Sequence, residues 1–399
     1  MSDSAFEIRD PIHGYIKMDE LAKSLLDTPQ VQRLRWIRQL GLASLVYPGA
    51  CHSRFEHSLG TYHLAVGLAD RLELAEDERL LVGAAALLHD IGHGPFSHAS
   101  EVALSSYLRQ AHETVFSLLQ EGEIRDRLHE HGFFPGQVQE LIHGQGRLGP
   151  IISGEIDADR MDYLIRDAHY TGVGYGVFDH LRLMERMSVY SGRLVVDRGG
   201  LAAAESLLVS RTLMHPTVYF HHVCRISEGM LCAALRWLIE EGISEPRSLR
   251  RMDDYQLLSL LDRSGGRAGE LAGRLKSRRL YKRAVYAGPE ALEPDMRKVS
   301  PGRLAEEIAS AAGVDSALVI VDSPARQEVS EGRLPVLVNG GLRPLREVSP
   351  LAAALEKAQV ASWRFGIYVP AEIRDRVRWA AERILNLQKS AVQYTFDDI

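Results

Sequence analysis

The side chains best suited to chemistry are an adjacent imidazole and carboxylate, His89 and Asp90, at the end of an apolar run. The run predicts a buried helix that must end here, because glycine and proline follow at 92–95. His57 and Asp159 add a second imidazole and a second carboxylate from separate elements. Any one of these residues alone is more typical of a structural role. Together, without a thiolate, they favour a divalent cation such as manganese, magnesium, iron, cobalt or nickel, with coordination positions left open for water or phosphate oxygens.

Polar side chains also recur at helical spacing on two other segments. They are Asp159, Tyr163 and Asp167 with Arg160 beside them, and then Arg211, His215, Tyr219 and His222. The second segment is otherwise apolar, so its polar face needs solvent or a polar ligand opposite it. Pro216 predicts a kink there. The alternative is structural: Tyr163 as a core aromatic, Asp167 as an ion-pair partner of Arg166, and the second stripe as an exposed face at a subunit boundary.

Further imidazoles lie close to the proposed metal site in the sequence. They are His93, His98 and His112, the last followed by Glu113. Each could transfer a proton near neutral pH, although singly each is more typical of a surface or core histidine. Hydrolysis of a phosphate ester needs neutralised phosphate charge, a positioned oxygen nucleophile and a proton for the leaving group. A cation with Arg54, Arg160 and Arg211 would neutralise the charge, the cation would polarise a water, and these histidines would supply the proton.

The elements that position these residues are predicted to be mainly α-helical. Helical periodicity dominates from about 21 to 241 and continues to about 283, which predicts an all-helical unit over 1–285 with its metal-binding part at about 50–170. Short strands are predicted at 317–321, 334–338 and 365–369, followed by an amphipathic helix from 370 to about 387. Residues 286–399 are therefore expected to form a small α+β region beside the helical core.

Composition excludes several classes of protein. The 399 residues carry a net charge of −6, which argues against a protein that coats nucleic acid but allows a local basic pocket. Three cysteines form no close pair, and the acidic N-terminus lacks an apolar signal region, so we expect a cytoplasmic protein without disulfides. The longest apolar run is too short to cross a bilayer. A basic section at 274–283 has a single aromatic residue, which ranks single-stranded nucleic-acid binding last.

On these residues the chain resembles the HD-domain phosphohydrolases, and among them the deoxynucleoside triphosphate triphosphohydrolases of the sterile-alpha-motif/HD type. The motifs that carry the resemblance are 10–14 (DPIHG), 28–35 (TPQVQRLR), 39–41 (QLG), 54–60 (RFEHSLG), 89–98 (HDIGHGPFSH) and 157–163 (DADRMDY). Their joint occurrence in this order is specific, and the resemblance covers about 5–290. It implies an HD helical core that releases a deoxynucleoside and inorganic triphosphate.

The resemblance also implies a role for each matching residue. The metal ligands would be His57, His89, Asp90 and Asp159, and the residues around the α-phosphate would be His93, His98 and His112. Triphosphate contacts would be Arg54, Arg160, Arg211 and Tyr219, and the sugar pocket would be Gln39, Leu40, Tyr163 and Asp167. Of these, Gln39 and Asp167 would bind the 3′-hydroxyl.

Similar proteins are commonly oligomeric and activated by nucleotides bound between subunits. The positions that resemble an activator site are Asp27, Gln32, Arg35 and Arg278, which implies GTP or a dNTP as activator and a homodimer or homotetramer. Phe6 stands where a basic residue would help to bind the activator phosphate, and Arg9 replaces a polar amide.

Two other functions remain open at this point. The first is an HD phosphohydrolase that acts on another phosphate ester, such as a nucleoside monophosphate or a nucleic-acid end. The second is a nucleotide sensor without catalysis, against which the complete set of costly polar groups argues. The products formed from a dNTP separate the first from triphosphohydrolysis.

Overall fold

The computed structural model describes residues 6–108, 113–291, 299–324 and 330–387. The helices up to residue 185 are Glu20–Leu26 (α1), Pro29–Arg33 (α2), Arg54–Arg71 (α3), Glu76–Leu88 (α4), His98–Leu108 (α5), Phe116–Leu119 (α6), Gly122–Glu130 (α7), Pro135–Ile142 (α8), Ala158–Thr171 (α9) and His180–Glu185 (α10). The later helices are Leu201–Met214 (α11), His222–Glu240 (α12), Pro246–Arg251 (α13), Asp254–Ser264 (α14), Gly266–Lys276 (α15), Pro301–Ala312 (α16), Leu345–Val348 (α17), Pro350–Ser362 (α18) and Arg374–Ile384 (α19). The strands are Phe6–Asp10 (β1), Gly14–Met18 (β2), Met187–Tyr190 (β3), Arg193–Asp197 (β4), Lys282–Ala287 (β5), Ile320–Asp322 (β6), Pro335–Val338 (β7), Gly341–Pro344 (β8) and Phe365–Val369 (β9).

The helical core packs around α3 and α4; His57 lies on α3, and His89 and Asp90 directly follow α4. Helix α3 begins at a capping box in which Ser53 and Glu56 each accept a backbone N–H of the other. Helix α4 is buried from Val82 to Leu88, so its C-terminal end, and the His-Asp pair after it, lies inside the molecule. A second apolar cluster surrounds α12, and a third lies between α16, α19 and the strands β5 and β9.

Strands of the described chain form three small sheets. β1 and β2 make an antiparallel hairpin, and β5, β9 and β6 make an antiparallel sheet in that order. The third sheet has the order β3-β4-β7-β8 and contains one parallel pair, β4 with β7. This sheet joins the helical part of the chain to its C-terminal part.

The predicted fold class, a mainly helical core with a smaller α+β C-terminal part, is confirmed. The strands expected near 317–321, 334–338 and 365–369 are present as β6, β7 and β9. The expectation that 21–241 is all helical is wrong at β3 and β4, where two short segments containing β-branched residues flank a tight turn with positive φ at Ser191 and Gly192. The division at 285/286 stays a prediction, and β5 runs across it.

No helix in the described part of the chain is long and apolar enough to cross a membrane. The kink expected at Pro216 is present, because α11 ends at Met214 and a π-helical turn follows at His215–Tyr219.

Candidate active site and metal centre

Four potential ligand atoms converge where α3, α4 and α9 meet. The Nε2 atoms of His57 and His89 lie 3.3 Å apart. Asp159 Oδ1 is 2.9 Å from His57 Nε2 and 3.8 Å from His89 Nε2. Asp90 places Oδ2 3.8 Å from His57 Nε2 and Oδ1 3.4 Å from His89 Nε2. The structure thus brings the four predicted ligands together, and His57, His89 and Asp90 form a buried group able to hold a metal.

The tautomers of the two histidines explain why this group fits a cation. His57 Nδ1 is 2.8 Å from a carboxylate oxygen of Asp162, and His89 Nδ1 is 2.7 Å from the carbonyl oxygen of Ala86. Because both partners only accept, each Nδ1 carries the hydrogen and each Nε2 presents a lone pair. Two lone pairs and two carboxylates facing one another in a buried space require a positive charge between them. A divalent cation satisfies that requirement, as does a proton.

The pKa of His57 reflects the same unbalanced negative charge. Burial by itself would lower this pKa, but the hydrogen bonds to Asp159 and Asp162 and their charges raise it to about 10. Without a cation the site therefore retains a proton on His57. HD domains bind divalent metals, and here the metal would replace that proton.

A buried network behind the metal site fixes the orientation of His57. Asp162 accepts from His57, from His13 Nε2 at 2.6 Å, and from Nε and Nη2 of Arg166, both at 2.9 Å. Arg166 also donates to Asp10 at 2.8 Å. Burial would raise the pKa of Asp162, but the charge of Arg166 and these hydrogen bonds hold it well below its ordinary value. The sequence pattern assigned no role to Asp10, His13 or Asp162. It offered Arg166 as an ion-pair partner of Asp167, but Arg166 pairs with Asp162 and Asp10 instead, and the i, i+4 spacing of Asp162 and Arg166 was the signal for that pair.

Gly60 makes room for this network. A Cβ atom at this position would lie 1.8 Å from Asp162 Oδ1 and 2.5 Å from Arg166 Nη2. The helix α3 can therefore approach α9 closely enough for His57 to reach Asp162 only if residue 60 has no side chain.

Asp90 also connects the metal ligands to a cationic wall. Its Oδ2 lies 2.5 Å from Arg54 Nη1, and its Oδ1 lies 3.3 Å from His93 Nε2. Burial would raise the pKa of Asp90, but the charge of Arg54, followed by those of the neighbouring histidines, holds it well below its ordinary value. Arg54 also donates from Nε to Ser97 Oγ at 2.6 Å.

The turn that carries Ser97 is strained and well supported. Phe96 and Ser97 have φ angles of 55° and 57°, an unfavourable conformation for residues with a Cβ atom. Phe96 N donates to Asp254 Oδ1 at 2.6 Å, and Ser97 Oγ donates to the carbonyl oxygen of Arg38 at 2.7 Å. These contacts hold the chain so that α5 begins at His98.

A cavity of about 400 Å³ opens beside this turn. Its walls include eight residues expected to contact substrate and one expected to transfer a proton. They are Gln39, Leu40, Arg54, Tyr163, Asp167, Arg211, His215 and Tyr219, and then His98. The rings of Tyr163 and Tyr219 lie 6.1 Å apart, edge to face. The structure therefore brings together residues that are up to 180 positions apart in the sequence.

Two polar groups of the cavity differ in how they are satisfied. The Oδ1 atom of Asp167 is 2.9 Å from His52 Nε2, and its Oδ2 accepts from the Tyr219 hydroxyl at 2.9 Å. Gln39 Oε1 is buried, and no hydrogen-bond donor among the described residues reaches it. A hydroxyl of a bound ligand would satisfy this acceptor.

The structure adds one acidic residue that sequence reasoning missed. Glu101 lies one turn into α5, and its Oε2 is 3.3 Å from His98 Nδ1. Together with His93 they form a second group of potential ligand atoms within 4.8 Å of one another. The signal in the sequence was the i, i+3 spacing from His98.

Some predicted site residues lie elsewhere or outside the description. Arg160 turns back to donate to the carbonyl oxygens of Gly154 and Glu155, the latter at 2.8 Å, and does not line the cavity. Glu113 is exposed, and its carbonyl oxygen accepts from Gln139 Nε2 at 2.8 Å. His112 lies outside the described residues. The roles expected of these three residues stay predictions.

Three of the four predicted activator residues are neighbours. Arg35 Nε donates to Gln32 Oε1 at 2.8 Å, and the Asp27 charge acts on the Arg35 guanidinium. That guanidinium also stacks 3.5 Å from the centre of the Phe55 ring. Arg278 instead donates to the carbonyl oxygen of Leu45 at 3.0 Å.

Comparisons with known proteins agree with this geometry. Residues 54–167 match the HD domain, and residues 178–396 match the HD associated region. An uncharacterized protein of Methanocaldococcus jannaschii is 35% identical over 92% of this chain and 79% of its own length. The crystal structure of a hypothetical protein from Aquifex aeolicus has a TM-score of 0.79 at 33% identity, covering 94% of this chain and 99% of that one.

A relative with a named activity is more distant. The deoxynucleoside triphosphate triphosphohydrolase SAMHD1 homolog of Dictyostelium discoideum is 32% identical over 76% of this chain. The match covers 64% of that protein's length, so a third of it has no counterpart in the aligned region.

Proposed function

Because the chain belongs to the family of HD-domain phosphohydrolases in which an HD-associated region follows the HD domain, we propose that it hydrolyses deoxynucleoside triphosphates. The products are the deoxynucleoside and inorganic triphosphate. The observation that carries the proposal is the cavity of about 400 Å³ that shares Arg54 with the metal group. A relative named for this activity, at 32% identity, supports the choice of substrate.

The two ends of the cavity differ in the chemistry of their side chains. Arg54 and Arg211 would neutralise phosphate oxygens, since guanidinium groups bind phosphate with paired N–H donors. At the sugar end, the unsatisfied Gln39 Oε1 accepts from the 3′-hydroxyl, and Tyr163 and Leu40 pack against the ring. Packed against the ring in this way, the two side chains would exclude a 2′-hydroxyl, which favours deoxyribose.

The reaction breaks the bond between the α-phosphorus and the 5′-oxygen. A water oxygen bonds to phosphorus and leaves with the triphosphate, and one proton goes to the 5′-oxygen. A divalent cation held by His57, His89, Asp90 and Asp159 supplies charge neutralisation beside the α-phosphate and favours ionisation of water. His93 or His98, within reach of Asp90 and Glu101, respectively, holds and moves the proton.

Regulation by a nucleotide is part of the same proposal. GTP or a dNTP would bind at Asp27, Gln32 and Arg35 of one subunit and Arg278 of another, in a homodimer or homotetramer. The Arg35 guanidinium stacked on Phe55 supports this site, because it presents a flat cationic surface that suits a nucleobase. Turnover of each dNTP measured with and without GTP tests the activation.

Product analysis tests the central proposal. The protein is incubated with each of the four dNTPs and Mn²⁺, and the products are separated by anion-exchange chromatography. Intact inorganic triphosphate and deoxynucleoside are expected, and D90N should abolish both. The matched control is D77N, which changes an exposed carboxylate on α4, the helix that precedes Asp90, and should retain full activity. Release of pyrophosphate with a monophosphate, or of orthophosphate, contradicts the proposal.

A further inference from the structure

A groove of about 360 Å³ lies beside the four-stranded sheet, away from the candidate active site. Its walls come from β4, β7, β8 and the segment between α8 and α9. Its charged residues are Arg193, Arg333 and Arg343 against one carboxylate, Glu155. We call this the arginine groove. It shares no residue with the cavity described above.

The three arginines reach the groove from three separate segments of the chain. Val196 of β4 pairs in parallel with Val336 of β7, and Arg193 and Arg333 each precede their paired valine by three residues. Arg343 of β8 lies directly across from Val336. Arg193 is the first residue of β4, Arg333 ends the short helical turn Ser330–Arg333 that precedes β7, and Arg343 lies within β8; all three line the groove.

The backbone around the arginine groove is rigid. The β3–β4 connection is a two-residue turn with φ of 50° at Ser191 and 73° at Gly192, which fixes Arg193 at the start of β4. Pro150, Pro335 and Pro344 line the groove and have no freedom in φ. A ligand would therefore meet a largely pre-organised wall, which reduces the entropy lost on binding.

The arginine groove has an excess of positive charge although the whole chain carries −6. Across the described ranges, no carboxylate lies within ion-pair distance of Arg193 or Arg343. Several guanidinium groups around one small space repel one another unless an anion lies between them. Their planar donor pairs match phosphate oxygens, which they can bind in bidentate fashion.

We propose that the arginine groove binds the phosphate chain of a small polyphosphate, either inorganic triphosphate or a nucleoside triphosphate. The volume is that of a small-molecule site rather than of a surface that follows a nucleic-acid strand. The site is independent of the proposed catalytic activity.

Calorimetric titration with inorganic triphosphate in the presence of a chelator tests the site. The R54A/R211A variant lacks the two cavity arginines proposed to bind phosphate, so the effect of further substitutions on the remaining binding reports on the groove. Adding R193A/R343A should weaken that binding at least tenfold. Adding R303A instead, which removes an exposed arginine paired with Glu307 on α16, should leave it unchanged. Equal affinities for these two variants overturn the proposal.

Hydrogen exchange on the unaltered protein provides a second measurement that needs no variant. Inorganic triphosphate should slow exchange in the peptides 190–196 and 336–344. Protection confined to peptides of the candidate active site overturns the proposal. ATP as ligand distinguishes the two sources: tighter binding of ATP than of triphosphate indicates a nucleotide site, and equal binding indicates that the phosphate chain carries recognition. Binding of an RNA oligonucleotide at these arginines without binding of either small anion contradicts it.

Discussion

Replacing Asp162 with asparagine should weaken metal binding without touching a metal ligand. Asp162 accepts the Nδ1 hydrogen of His57 at 2.8 Å and thereby keeps Nε2 free for the cation. Partners of this kind typically contribute 10- to 100-fold in metal affinity, which corresponds to about 1.4 to 2.7 kcal/mol. We therefore expect D162N to bind Mn²⁺ roughly 10- to 100-fold more weakly than the unaltered protein.

The same change also breaks a buried ion pair, so stability must be separated from metal affinity. Asp162 and Arg166 are fully buried, and Arg166 Nε lies 2.9 Å from Asp162 Oδ2. Removing one partner of such a pair typically lowers the free energy of unfolding by about 3 to 5 kcal/mol. D10N is the matched control, because Asp10 is the other carboxylate on Arg166 and has no contact with His57. It should lose comparable stability and keep its metal affinity.

Calorimetric titration of Mn²⁺ into both variants, below their melting temperatures, decides the matter. If D162N and D10N bind Mn²⁺ equally well, Asp162 only supports the fold and does not orient His57. If both lose affinity by the same factor, the loss comes from loosening of α9 as a whole, and the orienting role is again refuted.

Three further results are expected. G60A should lower the free energy of unfolding by roughly 3 kcal/mol or more, because the new Cβ would lie 1.8 Å from Asp162 Oδ1. The control is G67A on the same helix, whose Cβ would meet only Met184 Cε at 3.5 Å. In thermal denaturation this control should be neutral or stabilising. Q39A should lower kcat/KM for a dNTP about tenfold through loss of one hydrogen bond, and it should leave turnover of a 2′,3′-dideoxynucleoside triphosphate unchanged; an equal loss on both substrates refutes the 3′-hydroxyl contact. Burial, against the opposing charge of Arg225, raises the pKa of Glu228 to about 7 from 4.5. A folded pKa above the unfolded one means that the protein loses stability as pH rises from about 4.5 to 7, so chemical denaturation should show this slope in the unaltered protein and a flatter one in E228Q.

The grouping of the four candidate ligands could be predicted in part from local patterns in the sequence. His89 and Asp90 follow a buried apolar helix that glycine and proline end, and helical spacing places Asp167 and Tyr163 on the face that begins at Asp159. Each of these inferences uses residues within a few turns of one another. The four ligands then meet because α3, α4 and α9 pack together.

What could not be predicted depends on contacts between distant residues or on side-chain direction. His13 reaches Asp162 across 149 residues, and no local pattern contains that pairing. The parallel pairing of β4 with β7 likewise joins segments 140 residues apart. Helical spacing gave the face of Arg160 but not its rotamer, and the carbonyl oxygens ahead of α9 attract the guanidinium away from the cavity.

The charges of the site explain why its arginine and its acids must occur together. Asp90 and Asp159 carry two negative charges toward two uncharged imidazole nitrogens, so a divalent cation neutralises the ligand group. Arg54, 2.5 Å from Asp90, then leaves the mouth of the cavity net positive, which attracts a triphosphate. The ion pair between Arg166 and Asp162, with Asp10 beside it, lies behind His57, where Asp162 accepts the Nδ1 hydrogen and thereby orients the ring. A substitution that removes Arg54 should therefore weaken substrate binding and disturb Asp90, whereas D162N should reach the site through His57 and the metal.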